Sequence, residues 1–281
     1  PRYSTIDRID YSNDTATASP RGPLSRETRG AGGTGTPSYG WITGSNDKSF
    51  VDRIDYSNDT ATTSPKGPLS AAGRYQKATG NANYGWVGGS GSPTRSTVER
   101  IDYANDTATG IVKGPLNTGR YRHGATGNTT HGYFAAGQPG TLTSIERVDY
   151  SNDTVTATIV GPINRNVENS MTGALSSQAN ALPQTFSQGT VGSYGAGYFG
   201  GGNTYPSPAK SSKVDRVDYS NDTATTSVRG SLTSARNYLM ATSSSSHGYW
   251  MAGSTPSKVS TVDRVDYSND TATASARGPL D

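Results

Sequence analysis

Oxygen donors crowd a short stretch that the chain writes six times. In the second copy Asp52, Asp55, Ser57, Asn58 and Asp59 fall within eight consecutive positions. Carboxylate, amide and hydroxyl oxygens at this density could hold a hard cation, and calcium would be the metal. The stretch lacks the central glycine and the distal bidentate glutamate of an EF-hand loop. Turn chemistry accounts for the same residues, since Asn and Asp bond nearby backbone and tolerate left-handed dihedrals. No cofactor is therefore expected. Asn-Asp-Thr is also an acceptor sequon for N-glycosylation, at Asn13, Asn58, Asn105, Asn152, Asn221 and Asn269, with a further sequon at Asn128. In a bacterial or phage source these mark turns only.

Catalytic chemistry finds few candidates. Of the three histidines, His131 and His247 stand in equivalent places before Gly-Tyr, and His123 stands apart. No Ser-His-Asp set or histidine metal cluster is indicated. The absence of cysteine removes a disulfide framework, a thiolate metal site and a cysteine nucleophile. A glycoside hydrolase would need paired carboxylates at one location, whereas the acids here are spread evenly over the copies. Trp41, Trp86, Tyr133, Phe199 and Trp250 are the candidate ligand contacts, because aromatic faces could stack on sugars. The competing reading packs them as strand core.

The elements that position these residues follow from the repeat. The tyrosine of each copy is Tyr11, Tyr56, Tyr103, Tyr150, Tyr219 or Tyr267, at spacings of 45, 47, 47, 69 and 48 residues. A period of that size marks a repeat architecture. In Val51-Asp52-Arg53-Ile54-Asp55-Tyr56, β-branched and aromatic residues alternate with charges, which is a strand signal. Ser57-Asn58-Asp59 is a turn, and Thr60-Ala61-Thr62 reads as a returning strand ended by Gly67-Pro68-Leu69. A second unit, Tyr39-Gly40-Trp41-Ile42-Thr43-Gly44, recurs in five places as a short aromatic strand closed by small residues. A weaker strand precedes it, clearest at 74–80 and 236–242. Arg53, Asp55, Tyr56, Asn58 and Asp59 are thus expected to be scaffold. Arg8, Arg53, Arg100, Arg147, Arg216 and Arg264 are expected to form ion pairs between blades, giving geometry more surely than stability.

Four short strands per period of about 47 residues is the size of a propeller blade. The order of an Arg-led strand, an aromatic strand ending in Gly88-Gly89 or Gly200-Gly201-Gly202, and a third strand with Tyr56 resembles the kelch repeat. The fourth-strand Trp of that family is absent, with Ala61 or Thr62 near its place. Ser57-Asn58-Asp59-Thr60-Ala61-Thr62-Thr63 is similar to the Asp-box of sialidases, which is structural in that family. The resemblance implies an all-β propeller with blades at 26–70, 71–117, 118–164, 165–233 and 234–281, and a half-blade at 1–25. Five blades plus a half, six with a borrowed strand pair, and an unclosed solenoid all remain open. Copper oxidases of the galactose oxidase type use such a propeller, but their Cys-linked Tyr cannot form here. The wording of the repeat is also similar to repeat-rich proteins of marine phages and bacteria, where fibre roles are typical.

Composition agrees with an array. Hydrophobic content is 31% with 35 glycines, too sparse for one repeat to bury its own core, so stacking must bury it jointly. Net charge is +3 and dispersed, which offers no field for nucleic acid. No apolar run is long enough for a membrane helix. The chain starts with Pro1 inside a repeat and reads as processed or partial. An insertion of about 22 residues within 165–193 is placed on a loop of one face. The expectation is a non-enzymatic structural and binding module of a virion fibre or exported surface appendage. Its partners would be other protein subunits, including copies of itself, or cell-surface glycans. A lectin-like sugar binder and a glycoside hydrolase or lyase are the alternatives.

Overall fold

The computed structural model describes residues 3–281 apart from 46, 165–166, 169–172, 177–194 and 205–208. The chain opens with a hairpin of β1 (Ile6–Arg8) and β2 (Ser19–Arg21). Five antiparallel four-stranded sheets follow among the described residues. The first holds β3 (Gly32–Gly35), β4 (Tyr39–Ser45), β5 (Lys48–Asp55) and β6 (Ser64–Lys66). The second holds β7 (Lys77–Gly80), β8 (Tyr84–Ser90), β9 (Arg95–Asp102) and β10 (Ile111–Lys113). The third holds β11 (Gly124–Gly127), β12 (His131–Ala135), β13 (Ser144–Asp149) and β14 (Thr158–Pro162). Next come β15 (Val167–Glu168), β16 (Gly173–Ser176), β17 (Ala196–Gly200), β18 (Asn203–Thr204), β19 (Val214–Asp218) and β20 (Ser227–Arg229). Of these, β16-β17-β19-β20 form the fourth sheet, and β15 pairs with β18. The fifth holds β21 (Met240–Ser243), β22 (His247–Met251), β23 (Val262–Asp266) and β24 (Ser275–Arg277).

Strand order equals chain order in every sheet, and the inner strands pack in sequence, β3 on β7, β7 on β11, β11 on β16 and β16 on β21. This is a β-propeller of five blades. The β1–β2 hairpin repeats the outer half of a blade. Its pairs Ile6↔Arg21, Asp7↔Pro20 and Arg8↔Ser19 match Val51↔Lys66, Asp52↔Pro65 and Arg53↔Ser64. It lies between blade five and blade one. Ala18 N–H donates to the Pro279 carbonyl (2.8 Å), and Gly22 N–H donates to the Asp59 carbonyl (2.8 Å). The ends of the array therefore meet within one chain, and the unclosed solenoid is set aside.

Two local expectations are corrected. Thr60-Ala61-Thr62 is turn, and the return strand starts at Ser64. The Asp55 carboxylate caps a single 3-10 turn, Tyr56–Asn58, by accepting from Ser57 N–H (2.9 Å), and Ala61 N–H donates to the Asn58 carbonyl (3.2 Å). These local bonds hold the chain coiled beyond the tip, so it cannot extend until they are spent. The Arg-led strands also start late, at Lys77 and Met240. Tyr75 and Tyr238 adopt left-handed backbone (φ 57 each), which an extended strand cannot include. Of the insertion within 165–193, only β15 and β16 belong to the described residues.

The core lies in the joints between blades. One cluster joins Trp41, Val51 and Leu69 of blade one to Ala78, Val87 and Ile101 of blade two, and equivalent clusters recur around the ring. Among the described residues every buried cluster spans two blades, which is why the composition of a single repeat looks too polar to fold.

Candidate functional site

The repeat signature builds the joints. Each arginine of the third strand pairs with the turn aspartate of the next sector: Arg8 with Asp59, Arg53 with Asp106, Arg100 with Asp153, Arg147 with Asp222, Arg216 with Asp270 and Arg264 with Asp14, at 2.8–2.9 Å. The circuit of ion pairs is closed. Asp52 has a different duty. Its carboxylate accepts from Ser25 N–H (2.9 Å) and Thr63 Oγ1 (3.1 Å), tying the segment after the preceding Gly-Pro-Leu to the third strand. Asp55 accepts from Ser57 Oγ (2.7 Å), and these hydrogen bonds hold its pKa below the usual carboxylate value. The oxygens that looked like a cation site in the sequence therefore point three ways, to Ser25 and Thr63, to Ser57, and to Arg8 with Arg21. Among the described residues no three His, Asp or Glu side chains are gathered as a metal would need.

Gly-Pro-Leu is the backbone half of the joint. Gly67 N–H donates to the Asp106 carbonyl (2.8 Å), and Gly110 N–H donates to the Pro68 carbonyl (2.8 Å). A Cβ on Gly67 would collide with the carbonyl of Ala108 in the next blade, so only glycine lets the two backbones meet. Gly22, Gly114, Gly161, Gly230 and Gly278 repeat this approach around the ring. The Asn of each Asn-Asp-Thr sequon, from Asn13 to Asn269, sits exposed at a turn tip.

The aromatic candidates lie inside these joints. Trp41, Trp86, Tyr133, Phe199 and Trp250 are at most 1% exposed, so none offers a ring face to a ligand. They are also not one equivalent set. Register places Trp41, Trp86 and Tyr133 opposite Arg53, Arg100 and Arg147, whereas Phe199 and Trp250 lie opposite Asp215 and Asp263 and so face the other side of the sheet. The true equivalents are Tyr198 and Tyr249. Trp41 and Trp86 Nε1–H and the Tyr133, Tyr198 and Tyr249 hydroxyls donate to Asp106, Asp153, Asp222, Asp270 and Asp14 at 2.9–3.0 Å. Each ring also stacks on the next sector's signature tyrosine, as Trp41 on Tyr103 (centroids 4.1 Å) and Trp86 on Tyr150 (3.8 Å). Burial and the Asp14 carboxylate push the Tyr249 phenol up to about 12, so it stays a donor.

Open space with converging polar groups occurs at one mouth of the ring. A cavity of about 370 Å³ opens between blades two and three, lined by Arg74, Tyr75, Ser92, Pro93, Tyr121 and Arg122. The loops entering the inner strands place Tyr75, Arg122 and Tyr238 at one left-handed position (φ 57, 54 and 57), where blade one has Gly30 (φ 70). Left-handed backbone at bulky residues persists only where the surroundings hold it. The hold is visible here, since the Arg122 guanidinium lies 4.6 Å from the Tyr75 ring centroid and 6.0 Å from that of Tyr238. The sequence reading placed Tyr75 and Tyr238 within strands. The signal available was that copies disagree there, Gln76, His123 and Leu239 following the three left-handed residues.

Two buried bases lie beneath the mouth. Lys77 donates to the Ala31 carbonyl (3.4 Å), and burial pushes its amine down to about 8. His123 packs beside Phe134, and burial, with Arg120 and Lys77 nearby, holds its pKa well below the usual imidazole range. Compared with known proteins, the chain matches no family model and no curated protein.

Proposed function

We propose that the chain is a non-enzymatic structural and binding module, a kelch-like propeller that associates with other subunits through its outer rim. The observation that carries this reading is a row of exposed aliphatic side chains on unpaired strand edges. Val112, Ile159 and Val228 occupy one register position, opposite Glu99, Glu146 and Asp215, and are 56%, 51% and 45% exposed. The same position holds Pro20 in the half-blade, Pro65 in blade one and Ala276 in blade five. An exposed β-branched edge is a template for pairing with another chain, and proline on an edge blocks it. The rim thus carries β-branched side chains on blades two to four, proline on the half-blade and blade one, and only a small alanine on blade five. Near-identical blades favour multivalent contacts that gain by avidity. A virion fibre or exported surface appendage is the setting we infer for such a module. The kelch likeness is supported by Gly89 and Gly201 (φ 67 and 68) where the second strands end.

The test replaces Val112, Ile159 and Val228 together by lysine and compares sedimentation with the parent chain. The parent should self-associate as concentration rises and the triple variant should stay monomeric. Identical sedimentation of the two would overturn the rim as an assembly surface. A second reading, glycan binding, is favoured by the Arg122–Tyr75–Tyr238 cluster at the mouth. A glycan array without hits would remove it. A glycosidase reading draws no support from that cavity, because no carboxylate lines it.

A further inference from the structure

The joints between blades repeat one another and so carry scaffold, whereas the mouth of the ring is where the blades differ. At the entry to the inner strands the chain has Arg29-Gly30, Arg74-Tyr75, Tyr121-Arg122 and Asn237-Tyr238 in blades one, two, three and five. The three guanidiniums of this set gather on one ring. The Cζ atoms of Arg122, Arg74 and Arg29 lie 4.6, 5.7 and 5.9 Å from the Tyr75 centroid. The ring itself is seated on Gly30, where a Cβ would strike it. Tyr121, its centroid 6.4 Å from that of Tyr75, packs on Gly91 as a second wall. Arg74 and Arg122 line the cavity of about 370 Å³ together with Ser92, and no carboxylate lines it. Asp47 meets Arg74 only at 3.8 Å and is 53% exposed, so water screens that pair.

A fourth cation lies behind these three. Lys77 opens the inner strand of blade two, where the other blades open with Gly32, Gly124, Gly173 and Met240. It is 8% exposed, and its ammonium reaches the carbonyl of Ala31, the residue after Gly30 (3.4 Å). An ammonium has three protons to donate, and burying one against a single long carbonyl contact is costly unless negative charge stands near. Among the described residues no carboxylate offsets Lys77, whereas the buried Arg120 and Arg236 have Glu146 and Asp263. We propose that this mouth binds a small organic acid, its carboxylate, sulfate or phosphate group held by Arg74 and Arg122, with Lys77 as the charge behind it and the rest of the molecule against Tyr75 and Tyr121. Guanidinium forks match such oxyanions bidentately, and converging positive charge raises the local concentration of anions. The cavity has the size of small-molecule pockets, about 300–1,000 Å³, so it takes more than a bare inorganic ion. The acid need not be a sugar, and the inference therefore stands apart from the glycan reading of the same mouth.

Isothermal titration of the full chain with glucuronate and with citrate tests this, inorganic sulfate and glucose serving as comparisons. Saturable one-to-one binding of at least one of the two acids is expected, weakening as sodium chloride is raised. Sulfate should bind at least about tenfold more weakly, and glucose should not bind. Arg74→Gln and Arg122→Gln should each weaken the acid at least about tenfold, the loss expected for a charge-assisted hydrogen bond. Lys77→Met should also weaken it, in a protein that melts higher than the parent, so that lost binding there is not lost fold. Val155→Ala, at an exposed outer turn, should leave binding unchanged. Equal affinity for glucose and glucuronate would overturn the anion site and leave the glycan reading in place. Sulfate held as tightly as the acids would overturn the organic ligand. No saturable binding of either acid, or binding indifferent to both arginine variants, would overturn the site itself.

Discussion

Asp153→Ala and Asp59→Ala remove the same letter of the repeat and should cost different amounts. Asp153 accepts from Trp86 Nε1–H (2.9 Å) and Arg100 Nη1 (2.9 Å), and pairs with Lys113 Nζ (3.2 Å). The side chains of Arg100 and Lys113 are only 23% and 12% exposed, and Trp86 is wholly buried. Truncation would strand two poorly hydrated cations and a buried indole N–H. Breaking a buried pair costs roughly 3–5 kcal/mol, and an orphaned buried donor roughly 1–3 kcal/mol. The groups share one pocket, so the losses overlap and the total should be about 4 kcal/mol. At roughly 2–4 °C per kcal/mol for a chain of this size, the melting temperature should fall by about 10 °C. Asp59 holds Arg8, which is 54% exposed, and Arg21, with no aromatic donor. Arg8 can return to water and only Arg21, 19% exposed, is left short of a partner, so Asp59→Ala should cost about 2 kcal/mol, or about 6 °C. Near-ultraviolet circular dichroism during heating, with urea titration at fixed temperature, measures both. Equal losses, or a larger loss at Asp59, would refute the account of the joints.

Three further outcomes follow from the same structure. Lys77→Met should stabilise the protein by about 2–3 kcal/mol at pH 7, because the folded amine titrates near 8 and the unfolded one near 10.5. The native penalty is full below pH 8 and fades as pH rises to 10.5, so the advantage of the variant in melting temperature should shrink across that window. His123→Leu, the residue blade five carries as Leu239, should flatten acid sensitivity. The buried imidazole resists protonation while the unfolded one takes a proton near 6.5, so the parent loses stability as pH falls through that value and the variant, which keeps only the milder shifts of His131 and His247, loses less, as urea midpoints at pH 7.5 and 5 would show. Gly114→Ala should cost about 3 kcal/mol or more, because its Cβ would strike the Val155 carbonyl, which is backbone and cannot give way; Gly140→Ala, with open space around it but φ 66, should cost only about 1 kcal/mol by thermal melting.

The repeat period, the alternation of Val51 to Tyr56, the turn at Asn58-Asp59 and the break at Gly67-Pro68 are local signals. They were enough to place four strands per copy and a half-blade at the start. They also marked Arg53 and Asp59 as scaffold, since charges repeated identically in every sector must be met by something equally repeated. The partner of each could not be read, because Arg53 answers to Asp106, in the next blade, and no spacing within one copy encodes that contact. Burial of Trp86 was equally out of reach, for a tryptophan beside glycines reads alike whether it packs between blades or faces a sugar. The left-handed Tyr75, Arg122 and Tyr238 belong to the same class, since Arg122 of blade three meets the rings of Tyr75 in blade two and Tyr238 in blade five. Closure was decided only in three dimensions. The sequence by itself determined that residues 1–25 are the outer half of a blade. Only the tertiary structure decided that this half-blade joins blade five to blade one. A repeat specifies its own strands through neighbouring residues, but a ring is made of contacts between sectors, and those depend on how many sectors the circle holds.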